Sequence, residues 1–200
     1  MDKFKDLFLG ILTWIGESAF RLFSVILLST FILVGWFVYT EKDSFMDSYR
    51  AQQALPKMNG NYEAASNFIL KNSKAELVAI FDVNTLLNTR KIVYIITRAG
   101  RIKIHDGADV GLLTSNHANN TDVIGLIQGN TLCGPYLRPQ SYVGFTYKTI
   151  GIIYMCRISV PAETGLFIGQ ISVGWKEQPE DEDTEKTVLL AASGLLFNKK

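Results

Sequence analysis

Residues able to do chemistry are few in this chain. Its two histidines, His105 and His117, share a thirteen-residue stretch with Asp106 and Asp109. Imidazole and carboxylate together are ligands that zinc accepts, but this spacing fits neither one helix face nor a known ligand set. Cys133 and Cys156 are the two cysteines. Either one beside His117 would make a nucleophile and its base, yet nothing in the sequence anchors such a pair. The patterns G-x-x-x-x-G-K-S/T, H-E-x-x-H, G-x-S-x-G and C-x-x-C do not occur, which removes the commonest phosphate, zinc, acyl-transfer and redox motifs. Asn119-Asn120-Thr121 is a glycosylation sequon, a pattern that chance supplies readily. The reading is a protein without catalytic residues, cofactor or metal.

What remains is charge and sulfur. Arg90, Lys91, Arg98, Arg101 and Lys103 form a run of cations with no acid between Val83 and His105. Such a run is the solvent face of a strand pair, or a docking surface for an acidic partner or anionic headgroups. An acidic segment of Glu177, Glu180, Asp181, Glu182, Asp183 and Glu185 offers an answer to it in a neighbouring copy. Cys133 and Cys156 would pair in an oxidising compartment, closing a loop worth roughly 3 kcal/mol in the chain-entropy model. Two buried thiols acting as small hydrophobes is the equal alternative.

These residues must be positioned by 200 residues of 48% hydrophobic content and net charge +1. A nearly neutral chain lacks the basic surface that displaces counterions from nucleic acid. The apolar residues are unevenly spread. Leu22 to Thr40 is an uncharged run bounded by Arg21 and by Glu41, Lys42 and Asp43. A helix of that length covers roughly 28 Å, close to the hydrocarbon thickness of a bilayer. Trp36, Phe37 and Tyr39 crowd its far end, where amphipathic rings prefer the headgroup level. A core helix would keep a polar stripe, and a signal peptide would have a shorter apolar run and an A-x-A site. The run therefore reads as a permanent membrane span, and the flanking cations, three on each side, leave its orientation undecided.

Before the span, Phe4, Leu7, Phe8, Ile11, Leu12 and Ile15 follow the spacing of one helical face, predicting an amphipathic arm over residues 1–21 that lies on the membrane or self-associates. After it, residues 41–60 read as a stalk that continues the helix to Pro56 and then breaks.

The remaining 61–200 read as one domain. A helix is predicted from Asn61 to Lys71, then strands over Glu76–Asp82, Lys91–Arg98 and Arg101–His105. An irregular crossover holds a short helix from Asp122 to Gln128, capped by Asn120 or Thr121. Strands over Ser141–Lys148, Ile150–Val160 and Leu166–Trp175 follow, the last two joined as a hairpin by Pro161–Gly165. A helix from Thr184 to Asn198 closes the chain. This order predicts an α+β fold: one transmembrane helix, then an antiparallel sheet flanked by helices, of roughly PAS/GAF-like shape.

Arm, span and single domain together resemble the holin of T-even-type tailed bacteriophages. Lys42-Asp43-Ser44-Phe45 followed by Tyr49 looks like that family's juxtamembrane segment. Ile153-Tyr154-Met155-Cys156 followed by Gly169-Gln170-Ile171-Ser172-Val173-Gly174-Trp175 is similar to its cysteine-bearing strand and the aromatic strand after it. The family's second domain cysteine sits in the terminal helix; this chain has none there and carries Cys133 instead. The resemblance implies a cytoplasmic N-terminus and a periplasmic domain in the host inner membrane. It also implies self-assembly into holes that pass endolysin to the peptidoglycan, and an antiholin that docks on the domain. The rival reading is a bitopic envelope anchor or sensor whose outer domain binds a ligand.

Overall fold

The computed structural model describes residues 5, 6, 9, 10, 13, 14, 16–54, 56–139 and 141–197. The chain divides into two compact units, Met1–Leu55 and Pro56–Lys200. In the first, helix α1 runs from Ala19 to Ala54 over 36 residues, about 54 Å at 1.5 Å per residue. Its stretch Ala19–Asp43 is long and apolar enough to cross a membrane, with mean hydropathy 2.2 and nothing buried by the protein itself. The predicted span Leu22–Thr40 lies inside it. The helix runs without a break through Lys42 and on to Ala54, just short of Pro56, whose missing N–H and ring cannot continue it.

The second unit contains α2 (Tyr62–Asn72), β1 (Leu77–Asn84), β2 (Thr89–Thr97), β3 (Gly100–Arg101), α3 (His117–Ile127), β4 (Leu132–Pro135), α4 (Val143–Ile150), β5 (Tyr154–Val160), β6 (Gly169–Trp175) and α5 (Glu182–Leu196). The strands form one antiparallel sheet in the order β3-β2-β1-β6-β5-β4. Side chains alternate across a strand, so β1 feeds two cores. Val78 and Ile80 join Ile158, Ile171 and Val173 against Ile69 of α2 and Leu189, Ala192 and Leu196 of α5. Leu77, Ala79 and Phe81 join Ile92, Ile95 and Met155 against Val143 and Tyr147 of α4. The sheet is thus covered on both faces, as the α+β prediction requires.

A register shift between Ile80 and Phe81 leaves Val93 as an extra residue in β2, because Ile80 faces Tyr94 while Phe81 faces Ile92. This bulge reverses the alternation. Ile92 and Ile95, three apart, therefore both belong to the α4-side core. Gly169, at the start of β6, sits where a Cβ would run into Met58 and the carbonyl of Phe81, so only glycine lets the segment before α2 pack there.

Several elements differ from the sequence reading. The strand expected over Ser141–Lys148 is helix α4. Its aromatic and β-branched content suggested a strand, but Val143, Tyr147 and Ile150 sit at helical spacing, and the first two are buried. Gly151 stops the helix at a φ of +89°, a conformation glycine adopts freely. The strand expected over Arg101–His105 shrinks to Gly100–Arg101, because Asp106 N–H donates to Lys103 O (3.0 Å) and turns the chain away. Strand β4 appears where an irregular crossover was expected. The crossover helix starts earlier than predicted, at His117, and its cap is Asn116, whose side-chain oxygen accepts from Asn119 N–H at 3.2 Å. Replacing Asn116 by Ala should cost about 1 kcal/mol, read as a lower urea midpoint at unchanged slope; an unaltered midpoint would show that the cap contributes nothing.

Candidate functional site

The apolar helix is finished internally. Ser24 Oγ donates to Phe20 O (2.9 Å), Thr30 Oγ1 to Ile26 O (2.8 Å) and Thr40 Oγ1 to Trp36 O (3.0 Å). Each of these three hydroxyls is thereby spent on the helix's own backbone, and the surface left outside is predominantly hydrocarbon. Charges at the two ends are tied to aromatic rings. The Arg21 guanidinium bonds Glu17 at 2.9 Å and lies 4.8 Å from the Trp14 ring centre; the Lys42 ammonium lies 4.6 Å from that of Tyr39. Cation–π pairs of this kind suit the headgroup region. The arm positions Phe4, Leu7, Phe8, Ile11, Leu12 and Ile15 lie outside the described residues.

In the domain, Cys133 and Cys156 face each other across β4 and β5 and are joined as a disulfide. Cys156 is buried in the α2/α5 core. The bridge fastens the last strand of the sheet, which pairs on one side alone. Beside it opens a groove of about 600 Å3 bordered by α3, β4 and Leu137–Pro139, with Arg138, Arg157 and Asp122 among its polar groups. The Arg157 guanidinium is paired to the Asp122 carboxylate. Leu137 stands 74% exposed at the rim. Proline at position 135 withholds an N–H from the edge and discourages another strand from adding there.

The basic run does not form one surface. Arg98 folds back onto the end of α2, donating to Leu70 O (3.1 Å), Ser73 O (2.7 Å) and Ala75 O (2.9 Å). Arg101 lies 3.8 Å from the Tyr94 ring centre and pairs with Asp106 at 2.9 Å. Lys91 and Lys103 are exposed, whereas Arg90 is 6% exposed and points into the α4-side interior. Of the five cations read as a docking surface, Arg90 is buried and Arg101 half-buried, while Lys91, Arg98 and Lys103 are exposed, Arg98 and Arg101 being also bonded to neighbouring backbone. The acidic segment is likewise partly structural. Asp181 caps α5, accepting from Asp183 N–H and Thr184 N–H. Glu182 accepts from Tyr154 Oη and from Lys186 (2.7 Å); burial and this carboxylate push the Tyr154 hydroxyl up to about 12.

Neither a protein-family model nor a curated protein matches this chain. Among solved structures, a far-red cyanobacteriochrome photoreceptor aligns with a TM-score of 0.51 at 13% identity, over 79% of this chain and 94% of its own. A GAF domain of a two-component sensor histidine kinase from Bacillus halodurans aligns at 0.47 and 13% identity, over 66% of this chain and 87% of its own. The chain shares its fold with that photoreceptor. At such identity the likeness extends to architecture and to nothing chemical.

Within this domain, the histidines have separate positions. His105 Nε2 lies 2.8 Å from Thr146 Oγ1, tying the turn after β3 to α4, while His117 opens α3. Asp109 Oδ1 accepts from the backbone N–H of Arg90 (3.0 Å) and of Gly111 (2.9 Å). A polar cluster escaped the sequence reading. Arg90 Nη1 donates to Gln170 Oε1 (3.1 Å), Arg90 Nη2 to Asn119 Oδ1 (2.6 Å), and Asn119 Nδ2 to Leu112 O (2.8 Å). These partners come from β2, β6 and α3, far apart in sequence. The available signal was Arg90 itself, two residues before buried Ile92 and so on its inward face.

Proposed function

We propose that this chain is a single-pass membrane protein that presents an oxidised GAF-like domain outside the cytosol and acts as a phage holin, by assembly and not by catalysis. The observation that supports it best is the joining, in one chain, of an apolar helix with nothing of its own to cover it to a domain fastened by a disulfide. Such bridges persist in oxidising compartments. The juxtamembrane Lys42-Asp43-Ser44-Phe45 and the Cys156 strand supply the resemblance that directs the reading to holins. In this reading the spans gather in the host inner membrane above a critical density. A hydrocarbon-faced helix dewets a channel, so polar surface at a hole's rim comes from the arm or from the helix beyond Lys42. The domain, with its groove beside β4, is the place for an antiholin to dock.

The fold, shared with a photoreceptor, supports the rival reading, in which the chain is a bitopic envelope anchor or sensor, better than it supports a holin. Induced expression separates the two. A holin abruptly stops respiration and releases a co-expressed soluble endolysin to the cell wall. Undisturbed respiration with full membrane accumulation would reject the holin reading in favour of the anchor.

A further inference from the structure

Arg90 poses an electrostatic problem. Its guanidinium is buried, and its two terminal nitrogens are met by the neutral amide oxygens of Gln170 and Asn119. The Asp109 and Asp122 carboxylates favour its charge without bonding its guanidinium, Asp109 Oδ1 accepting instead from backbone N–H groups. The second arginine of the cluster, Arg157, already has the Asp122 carboxylate. A charge taken out of water with only neutral partners is costly unless a counter-charge reaches it.

Two donors in the same place are left without partners. Arg90 Nε and Tyr147 Oη are both sealed from solvent and have no hydrogen-bond partner among the described residues; Tyr147 as a whole is 5% exposed. Both residues line a cavity of about 30 Å3, together with Arg157, Tyr136, Ser141 and Ser172. Gln170 Nε2 donates to Ser172 Oγ at 2.7 Å, so the amide turns its oxygen to Arg90. The cavity is therefore rich in N–H and O–H, and the amide oxygens nearest to it are already engaged. It has space for a body the size of a water molecule or slightly larger, and a phosphate or nucleotide does not fit.

We propose that this cavity is a binding site for a monatomic monovalent anion, chloride, held between Arg90 Nε, Tyr147 Oη and the Arg157 guanidinium. Such an anion only accepts hydrogen bonds, so it satisfies both orphaned donors at once, and it gives Arg90 a directly bonded negative charge that its amide partners do not supply. Water in the same place would have to place its two protons on the Tyr136, Ser141 or Ser172 hydroxyls, and it would bring no charge to Arg90. Burial and the neighbouring Arg157 charge pull Arg90 down to about 10, so it still carries its charge at neutral pH. The site ties β2, α4 and β5 together beneath the groove beside β4, which also borders on Tyr136, Met155 and Arg157.

The test uses the full chain in detergent micelles. Its thermal midpoint is followed by ellipticity while sodium gluconate is exchanged for sodium chloride at constant ionic strength. The midpoint is expected to rise with the logarithm of chloride once the site fills. In Tyr147→Phe, which keeps the ring, the chloride concentration at which the rise begins should increase about ten-fold, the loss of one hydrogen bond to a charged group. Arg90→Met should abolish the dependence, and Tyr147→Phe keeps the question answerable should that variant fail to fold. Crystals soaked in bromide should show one anomalous scatterer between Arg90 Nε and Tyr147 Oη. Equal midpoints in gluconate and chloride, or a chloride effect unmoved by Tyr147→Phe, would overturn the site and leave water in the cavity.

Discussion

With Phe31→Arg, membrane insertion or assembly is expected to fail. Phe31 lies midway along Leu22–Thr40 and is 69% exposed, so no part of the described chain would shelter the guanidinium. An arginine at the centre of a spanning helix costs about 2.5–3.5 kcal/mol on insertion scales, roughly a hundred-fold in the equilibrium. Snorkelling offers least relief at the midpoint, since both ends of the helix are then furthest away. The measurement is the fraction resisting carbonate extraction, taken together with release of a co-expressed endolysin. Phe31→Leu should behave as the parent chain. Normal integration and full release by Phe31→Arg at ordinary expression would remove the basis of the proposed function.

Replacing both Cys133 and Cys156 by serine has the next largest expected effect. The bridged residues are 23 apart, and freeing a loop of that size lowers stability by about 3 kcal/mol in the chain-entropy model. At ordinary urea sensitivities this moves the midpoint down by about 1–3 M. The loss should be felt first at β4, which has a single neighbour in the sheet, and so in the groove beside it. Non-reducing mass mapping of the chain, taken from cells with thiols blocked, should find the Cys133–Cys156 peptide pair. Two free thiols would count against the proposed extracytoplasmic location, and an unaltered urea midpoint in the serine variant would show that the bridge contributes nothing to stability.

The sequence was most informative where one periodicity dominated. The uncharged run from Leu22 to Thr40 announces its helix, and β1, β5 and β6 lie within a few residues of their predicted ranges because β-branched residues there meet burial on both faces. Helix α4 misled because Val143, Phe145 and Tyr147 alternate as a strand would, while Val143, Tyr147 and Ile150 also satisfy a helix. Which face is buried decides between them, and that depends on Tyr136 and Pro139, which press against Gly144. The bulge at Val93 was hidden for a similar reason: an extra residue has no signature until its partner strand is known. Among the site residues, adjacency in sequence suggested that five cations act together. Strand alternation instead separates Arg90, facing inward, from its neighbour Lys91, facing out. Gln170 and Asn119, which receive the Arg90 guanidinium, carry no local mark of that role, since the contact spans 80 and 29 positions.

Asn59, three residues into the domain, donates its backbone N–H to Leu196 O (3.0 Å) and its side-chain amide to Leu195 O (2.8 Å). The strand of chain that comes up to the domain is therefore latched to the last turn of its final helix. Any tug applied along the backbone from Pro56 meets that latch before it meets the sheet. Mechanical load would first loosen the α5 terminus and the Met58 packing on Gly169, leaving the β-ladder to give way later, so the domain has a weak link placed at its own threshold.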